Sequence, residues 1–431
     1  MKTNRRKFIQ TSITSSVGIS LVPRYVLGKG WVPPSDQILI GIIGCGMQGR
    51  GLQNALCNYP QVRLVSASDV NLNKLNLLAE NTIKKYSEVQ PTWGVKKIDT
   101  FQNYSEQLNQ KELDAMVIST PDHWHAKQSL ETMELGLDIF CEKPISHTIN
   151  EGQQIVESAK INKIVFQTGS MQRSWNHFRN VSELIRNGYL GEIKKIVVHV
   201  GDPSRPCDLP PEPLPENLDW DGWLGPAPLR PYNSILSPPV DERVFPRWRW
   251  FDEFGGGIVA DWGAHMFDIV QWALGTDHTG PIKIIPPKNP NAKRGLRLYY
   301  SSGIEMIHDN RKLDTDQHGI EFFGSEGKMT VARGYIKTEP ENIANAKIKD
   351  SEIKLYKSDD HLLNWIESIR SRKKVITNAE IGHRTATICQ LVNIGYKLGR
   401  DLDWDPERER FKGNAMANKL RRKKYRKPHK I

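Results

Sequence analysis

Between Gln37 and about Gly169, short apolar runs alternate with longer segments compatible with helix. The runs are Ile38–Ile43, Arg63–Ser68, Ala115–Ser119, Asp138–Cys141 and Ile164–Gln167. Strand alternating with helix predicts a doubly wound, parallel α/β sheet covered on both faces. Beyond Gly191 the pattern changes. Ile193–Val200 mixes Ile and Val with Lys and His, which suits a sheet with one wet face, and further strands are expected at Leu296–Tyr300, Ile304–Ile307, His318–Gly324 and Gly327–Val331. Two helical stripes follow: Leu362, Leu363, Trp365, Ile366 and Ile369, then Ile381, Thr385, Ile388, Leu391, Val392 and Leu398. These read as core-facing, with no chemistry attached.

Within the second pattern, after Ile193–Val200, comes a proline-rich stretch from Asp202 to Arg247, incompatible with a helix or a central strand. Its interspersed Trp220, Trp223, Tyr232, Phe245, Trp248 and Trp250 predict an ordered, packed excursion. Packing and stacking on sugar rings are both open roles for those rings. With 431 residues and 38% apolar content, the chain is long enough for two domains, each with its own core.

The formal charge of +11 suggests nucleic acid until the charge is located. Much of it sits at Lys2, Arg5, Arg6 and Lys7 and in the run Lys419, Arg421, Arg422, Lys423, Lys424, Arg426, Lys427 and Lys430. With Tyr425 as its one aromatic, that run reads as a solvated extension, with no nucleic-acid partner. Five cysteines, Cys45, Cys57, Cys141, Cys207 and Cys389, lack C-x-x-C spacing, which argues against a disulfide framework or zinc site.

Candidate chemistry begins with Gly44-Cys45-Gly46-Met47-Gln48-Gly49, placed between an apolar run and the helix-compatible Leu52–Cys57. In a dinucleotide-binding turn the first glycine permits the turn, the second lets backbone approach a pyrophosphate and the third lets helix pack on strand. Asp69, twenty positions beyond Gly49, ends the next run, where an acid accepts hydrogen bonds from a ribose. Val70 and Asn71 offer no cation to a 2′-phosphate, so NAD is expected over NADP.

Thr120-Pro121-Asp122-His123-Trp124-His125 and Glu142-Lys143-Pro144 each follow an apolar run, at the carboxyl edge of the sheet where ligands bind. Lys143 reads either as a cation aimed at the nicotinamide or as a salt-bridge partner of Glu142. Asp261 and His265, four apart, fall on one face if the segment is a single helix. The pair reads as a carboxylate orienting a general base, as two metal ligands without a third, or as a structural contact.

Together, the glycine-rich turn, Thr120-Pro121 with His125, Glu142-Lys143-Pro144 and Asp261-x-x-x-His265 resemble the glucose–fructose oxidoreductase and inositol dehydrogenase family, Gfo/Idh/MocA. Asp122–Ala126, Asp221–Pro228 and Gly255–Gly275 are similar to an exported bacterial subgroup. The resemblance implies an N-terminal Rossmann domain over 36–170 and a C-terminal α+β domain over 171–431. The latter would hold a large, open, mostly antiparallel sheet and serve substrate binding and oligomerisation, with a basic tail from about 419. It implies Lys143 as catalytic lysine, Asp261 as its carboxylate partner and His265 as acid/base. The cofactor contacts would be Gly44, Gly46, Met47, Gln48, Gly49, Asp69, Thr120, Pro121, His125, Glu142, Lys143, Pro144, Gln172 and Arg173. Two departures stand out: Asp122 replaces the family's usual Asn, and Gln172-Arg173-Ser174-Trp175 replaces an aromatic-rich segment.

The expected activity is NAD-dependent oxidation or reduction of a carbohydrate or polyol secondary hydroxyl. The alternatives are an NAD-dependent glycosidase or lyase working through transient oxidation, and a non-catalytic sugar-binding protein. Asn4-Arg5-Arg6-Lys7-Phe8-Ile9 resembles a twin-arginine export signal over residues 1–28, with processing near Val26-Leu27-Gly28. That machinery carries folded proteins, so the expectation is a periplasmic homo-oligomer that leaves the cytoplasm with NAD already bound. The stretch Thr11–Val22 is too short and polar for a membrane span.

Overall fold

A computed structural model describes residues 36–110, 112–240, 245–309, 313 and 318–431. The export-signal reading lies outside them. The first sheet holds β1 (Ile38–Ile43), β2 (Val62–Ser68), β3 (Asp99–Phe101), β4 (Ala115–Ile118), β5 (Asp138–Cys141) and β6 (Phe166–Thr168). All five pairings are parallel, in the order β3-β2-β1-β4-β5-β6. Helices α1 (Met47–Leu56), α2 (Leu72–Val89), α3 (Tyr104–Leu108), α4 (Asp122–Glu134) and α5 (Ile149–Ile161) make the connections. Strand order reverses between β1 and β4, so the loops after these strands diverge and open a crevice at their carboxyl ends. β6 begins two residues later than its apolar run because the Ile164 N–H is held by the Ala159 carbonyl at the end of α5.

Local chemistry fixes several helix ends. Asn71 caps α2 by accepting from the Lys74 N–H, and Thr148 with Glu151 forms a reciprocal capping box on α5. The strand cores are fully buried: Ile40, Ile42, Val117 and Ile139 show 0% exposure, as a sheet covered on both faces requires.

The chain then forms α6 (Asn176–Arg186), β7 (Ile193–His199), α7 (Trp220–Leu224), α8 (Ile258–Asp261) and α9 (Gly263–Leu274). It continues through β8 (Lys283–Ile285), β9 (Leu296–Tyr299), β10 (Glu305–Asp309), β11 (Gly319–Gly324), β12 (Lys328–Ala332) and β13 (Tyr335–Glu339). Last come α10 (His361–Ser371), α11 (Ala379–Leu398), β14 (Leu402–Asp405), β15 (Arg410–Phe411) and α12 (Ala415–Leu420). Nine strands pair in the order β13-β12-β11-β7-β10-β9-β8-β14-β15. Among the described residues, only β7 with β10 is parallel in this sheet. Ile196 and Val198 of β7 and Ile320 and Phe322 of β11 share one core with Met266, Phe267 and Val270 of α9 and with Ile388 and Val392 of α11.

The chain also returns to the first sheet. Leu362, Trp365, Ile366 and Ile369 of α10 join the core built on β1 and β2. The proline-rich excursion is ordered around its own small core of Trp220, Trp223, Tyr232, Trp248, Phe251 and Phe254. The expectation of no helix in it is corrected: among the described residues it holds one short helix, α7, in a proline-free gap, capped by Asp219 accepting from the Gly222 N–H. Among the described residues no helix is long and apolar enough to cross a membrane.

Candidate active site

The β1–α1 turn opens the site. Gly44 sits at φ +93°, and a Cβ there would lie 2.8 Å from the Ser119 backbone. At Gly49 a Cβ would meet the Gly44 carbonyl oxygen at 2.0 Å, so this glycine sets how closely α1 approaches the turn. At Gly46 the same Cβ meets nothing within 4 Å. Gly46 is also the N-cap of α1, which has no side-chain cap and no acid in its first turn. Open space in front of free helix N–H groups fits a pyrophosphate.

Asp69 terminates β2 beside this turn, its carboxylate accepting from the Cys45 N–H at 2.7 Å and the Asn71 N–H at 2.8 Å. Burial raises its pKa, opposed mainly by the Lys74 ammonium. These features line one end of a cavity of about 900 Å³. The other end is lined by Lys143, Asp261, Trp262, His265, Arg249 and Arg333.

At that second end Lys143 is held firmly. Its Nζ donates to Asp261 Oδ1 at 2.5 Å and to the Asp261 carbonyl at 2.9 Å. Arg249 Nε donates to the same Oδ1 at 3.3 Å. Burial alone raises the Asp261 carboxyl, but the charges of Lys143 and Arg249 outweigh it and hold the group well below the usual carboxylate range. The salt-bridge reading of Lys143 therefore has the wrong partner: Glu142 instead accepts from Gln48 Nε2 at 2.7 Å.

Asp261 and His265 stand about one helical turn apart, because Trp262 between α8 and α9 keeps right-handed helical backbone, its N–H bonded to the Ile258 carbonyl and its carbonyl to the Met266 N–H. Asp261 is committed to Lys143 and Arg249, while His265 Nδ1 is buried with no hydrogen-bond partner, so Asp261 does not orient the imidazole through that nitrogen. Burial drives the His265 pKa well below its ordinary value, reinforced by Lys143 and Arg333, so the ring is neutral near pH 7. Among the described residues no group of three or more His, Cys, Asp or Glu is arranged to hold a metal.

Met47, Gln48, Thr120, Pro121, His125 and Glu142 also line the cavity. His125 works as a staple, with Nδ1 2.7 Å from the Pro144 carbonyl and Nε2 2.8 Å from the Thr120 carbonyl. Burial pushes its pKa down to about 4, and the neutral ring donates to one of the two while joining the loops after β4 and β5.

The expectation for Gln172 and Arg173 as cofactor contacts is corrected. Arg173 is 1% exposed and bound to Asp268 and Asp277, tying the segment after β6 to α9 rather than facing the cavity. Gln172 accepts from Arg333 Nε at 3.0 Å and so acts on the cavity through that arginine. Asp122, at the start of α4, lines the cavity, and burial raises its carboxyl to about 7, with Arg249 opposing the rise.

Arg249 and Arg333 are not singled out by motif spacing. Arg249 packs over Trp248 and Phe245 at 4.2 and 4.3 Å, and Arg333 lies 4.3 Å over Trp262. The only signal for Arg249 is its place within Arg247-Trp248-Arg249-Trp250. The solvated-extension reading of the basic segment holds for the exposed Lys419, Arg422, Lys424, Lys427 and Lys430 and is corrected for the rest. Lys423, Tyr425 and Arg426 are bonded into the molecule, and Pro428 and His429 line the cavity.

Comparison with known proteins agrees with this architecture. Residues 38–170 match the family model described as oxidoreductase family, NAD-binding Rossmann fold, and residues 188–431 match that family's C-terminal alpha/beta domain. An uncharacterized oxidoreductase, YrbE, of Bacillus subtilis is 21% identical over 382 residues, covering 85% of this chain and 96% of that protein. A glycosyl hydrolase family 109 protein of Shewanella pealeana is 29% identical over 216 residues, and the match spans 45% of each chain. The WlbA dehydrogenase of Bordetella pertussis, solved with NADH and UDP-GlcNAcA, shares the fold with a TM-score of 0.59 at 18% identity, over 86% of this chain and 99% of that one.

Proposed function

Because the chain belongs to the Gfo/Idh/MocA oxidoreductase family and carries its NAD-binding domain, we propose that it moves hydride between NAD and a secondary hydroxyl of a sugar, polyol or glycoside. The observation that carries this reading is the ammonium of Lys143, fixed on both the carboxylate and the carbonyl of Asp261 in the same cavity as the dinucleotide turn and His265. Bound NAD supplies the hydride acceptor. Gly44, Gly46 and Gly49 shape the pyrophosphate end, and Asp69 receives the ribose.

At the reacting end, neutral His265 has a lone pair for the hydroxyl proton, and the Lys143 charge stabilises the alkoxide that develops as the proton leaves. Asp261 positions Lys143. Arg249 and Arg333 face the same space and suit the oxygen-rich surface of a carbohydrate.

Asp122 supports a second reading, net cleavage of a glycoside. Oxidation at one sugar carbon acidifies the neighbouring C–H. A carboxyl near pKa 7 is suited to accept that proton as the glycosidic C–O bond breaks and the aglycone leaves. Water then adds and the hydride returns, so no NADH accumulates. The glycosyl hydrolase family 109 relatives fit this reading.

The test is to release and identify the nucleotide from purified protein, then follow nicotinamide absorbance and glycoside products together. Net NADH supports oxidation, cleaved glycoside without net NADH supports elimination, and neither in nucleotide-loaded protein refutes both. The same proposal includes a homo-oligomer paired through the open face of the second sheet, and twin-arginine export to the periplasm with the nucleotide bound.

A further inference from the structure

The basic segment after α12 folds back onto the cavity. Asn150 N–H at the start of α5 donates to the Arg421 carbonyl at 3.0 Å. Lys423 Nζ reaches Glu151 at 2.9 Å, and the Tyr425 hydroxyl donates to the same carboxylate at 2.5 Å. Two of the segment's cations are thereby taken out of solvent, with Lys423 19% and Arg426 14% exposed at the side chain.

Arg426 then ties the segment to the proline-rich excursion. Its backbone N–H donates to the Pro226 carbonyl at 3.0 Å and its Nε to the Gly225 carbonyl at 2.9 Å. The rest of the fork reaches Asp221, at 2.6 Å to the carboxylate and 3.0 Å to the carbonyl. Gly225 is held at φ +47°, and a Cβ there would lie 2.0 Å from the Trp124 ring. Three residues beyond Arg426, the His429 ring meets Trp124 edge-on at 5.5 Å. Trp124 is therefore packed by the excursion at Gly225, by His429, and by Tyr104, whose ring stands edge-on at 5.4 Å.

This packing is linked to the Asp69 side of the cavity through Tyr104 and through the excursion. Tyr104 follows β3, and its hydroxyl donates to Glu131 of α4. The excursion also meets the loop after β2, where the Asp219 N–H donates to the Val70 carbonyl at 3.0 Å, next to Asp69. Val70, Tyr104, Trp124, Pro428 and His429 all line the cavity.

We propose that residues 423–429 are a strap that walls the adenosine end of the dinucleotide site. Arg426 is its latch to the excursion and His429 its contact with α4 through Trp124. The strap slows nucleotide release by closing that end. This rests on the reading of the cavity as an NAD site.

The experiment compares wild-type protein with an Arg426→Ala/His429→Ala double variant, each loaded with NADH. Release is followed by loss of bound-NADH fluorescence after mixing with excess NAD, and retained nucleotide is measured after prolonged dialysis. The strap predicts release at least about tenfold faster in the variant and nucleotide lost on dialysis. Far-UV circular dichroism and the melting temperature of nucleotide-free protein report folding. If the double variant unfolds, Arg426→Ala alone is measured with the same expectation. Equal release rates in folded wild type and variant overturn the strap while leaving the NAD site standing. A wild-type protein that binds no NADH overturns both.

Discussion

Gly46→Val and Gly49→Ala separate what the β1–α1 turn does for the fold from what it does for the ligand. Gly46 has φ −65° and ψ −169°, extended backbone open to a branched residue, and its missing Cβ would point into free space. Gly46→Val should thus change the stability of nucleotide-free protein by no more than about 1 kcal/mol, the scale of glycine and capping effects. Its side chain fills the space that backbone alone leaves for the pyrophosphate, and NADH affinity should fall by at least about tenfold, or 1.4 kcal/mol. Gly49 is the opposite case. A Cβ 2.0 Å from the Gly44 carbonyl oxygen has backbone as its obstacle, so α1 must shift away from the turn. Overpacking of that kind costs about 1–3 kcal/mol. Thermal melting of nucleotide-free protein should show Gly49→Ala lowered by several degrees and Gly46→Val close to wild type, while titration with NADH should find Gly46→Val impaired. Unchanged NADH affinity in Gly46→Val refutes the pyrophosphate assignment, and wild-type melting of Gly49→Ala refutes the packing argument.

Lys143→Ala and His265→Ala should each lower turnover by roughly 10²–10⁴-fold with nucleotide content nearly intact, measured by steady-state assay and nucleotide extraction. Asp122 has a native pKa raised to about 7, so the folded state holds a proton the unfolded state loses between about pH 4 and 7, and its contribution to stability falls as pH rises through that window. Asp122→Asn should therefore gain melting temperature relative to wild type at pH 8 but little at pH 4; an equal gain at both would contradict the raised pKa. Asp69→Asn removes the charge facing Lys74, so the preference for NAD over NADP should narrow by about tenfold or more in paired titrations. Arg5→Lys with Arg6→Lys should strand active, nucleotide-bound protein in the cytoplasm, and a normal periplasmic fraction would remove the twin-arginine proposal.

The first sheet was readable because β1, β4 and most of β5 are apolar runs and β2 keeps Val62, Leu64, Val65 and Ala67 among its polar residues, and the turn after β1 was readable because three glycine positions have distinct steric jobs. The short strands β3, β8 and β15 carry too few residues to show a period, and β3 is largely exposed. The pairing of Lys143 with Asp261 joins residues 118 positions apart, so spacing could not show it and only the family resemblance supplied it, while the four-residue spacing pointed to Asp261 with His265. Arg173 has the composition of a ligand contact but is consumed by Asp268 and Asp277, partners far along the chain. The basic segment misled for a related reason: charge density marks solvent only when no carbonyls or carboxylates wait for it, and Glu151, Gly225 and Asp221 do.

The most direct measurement of the central claim follows the nicotinamide absorbance of NAD-loaded wild type and Lys143→Ala protein on mixing with a panel of sugars, polyols and glycosides. At least one compound should produce reduced nicotinamide on the wild-type protein, transiently or persistently, with the signal abolished or slowed by roughly 10²–10⁴-fold in Lys143→Ala at equal nucleotide content. Reduction at the same rate in both proteins, or none in the wild type across the panel, would contradict hydride transfer assisted by Lys143.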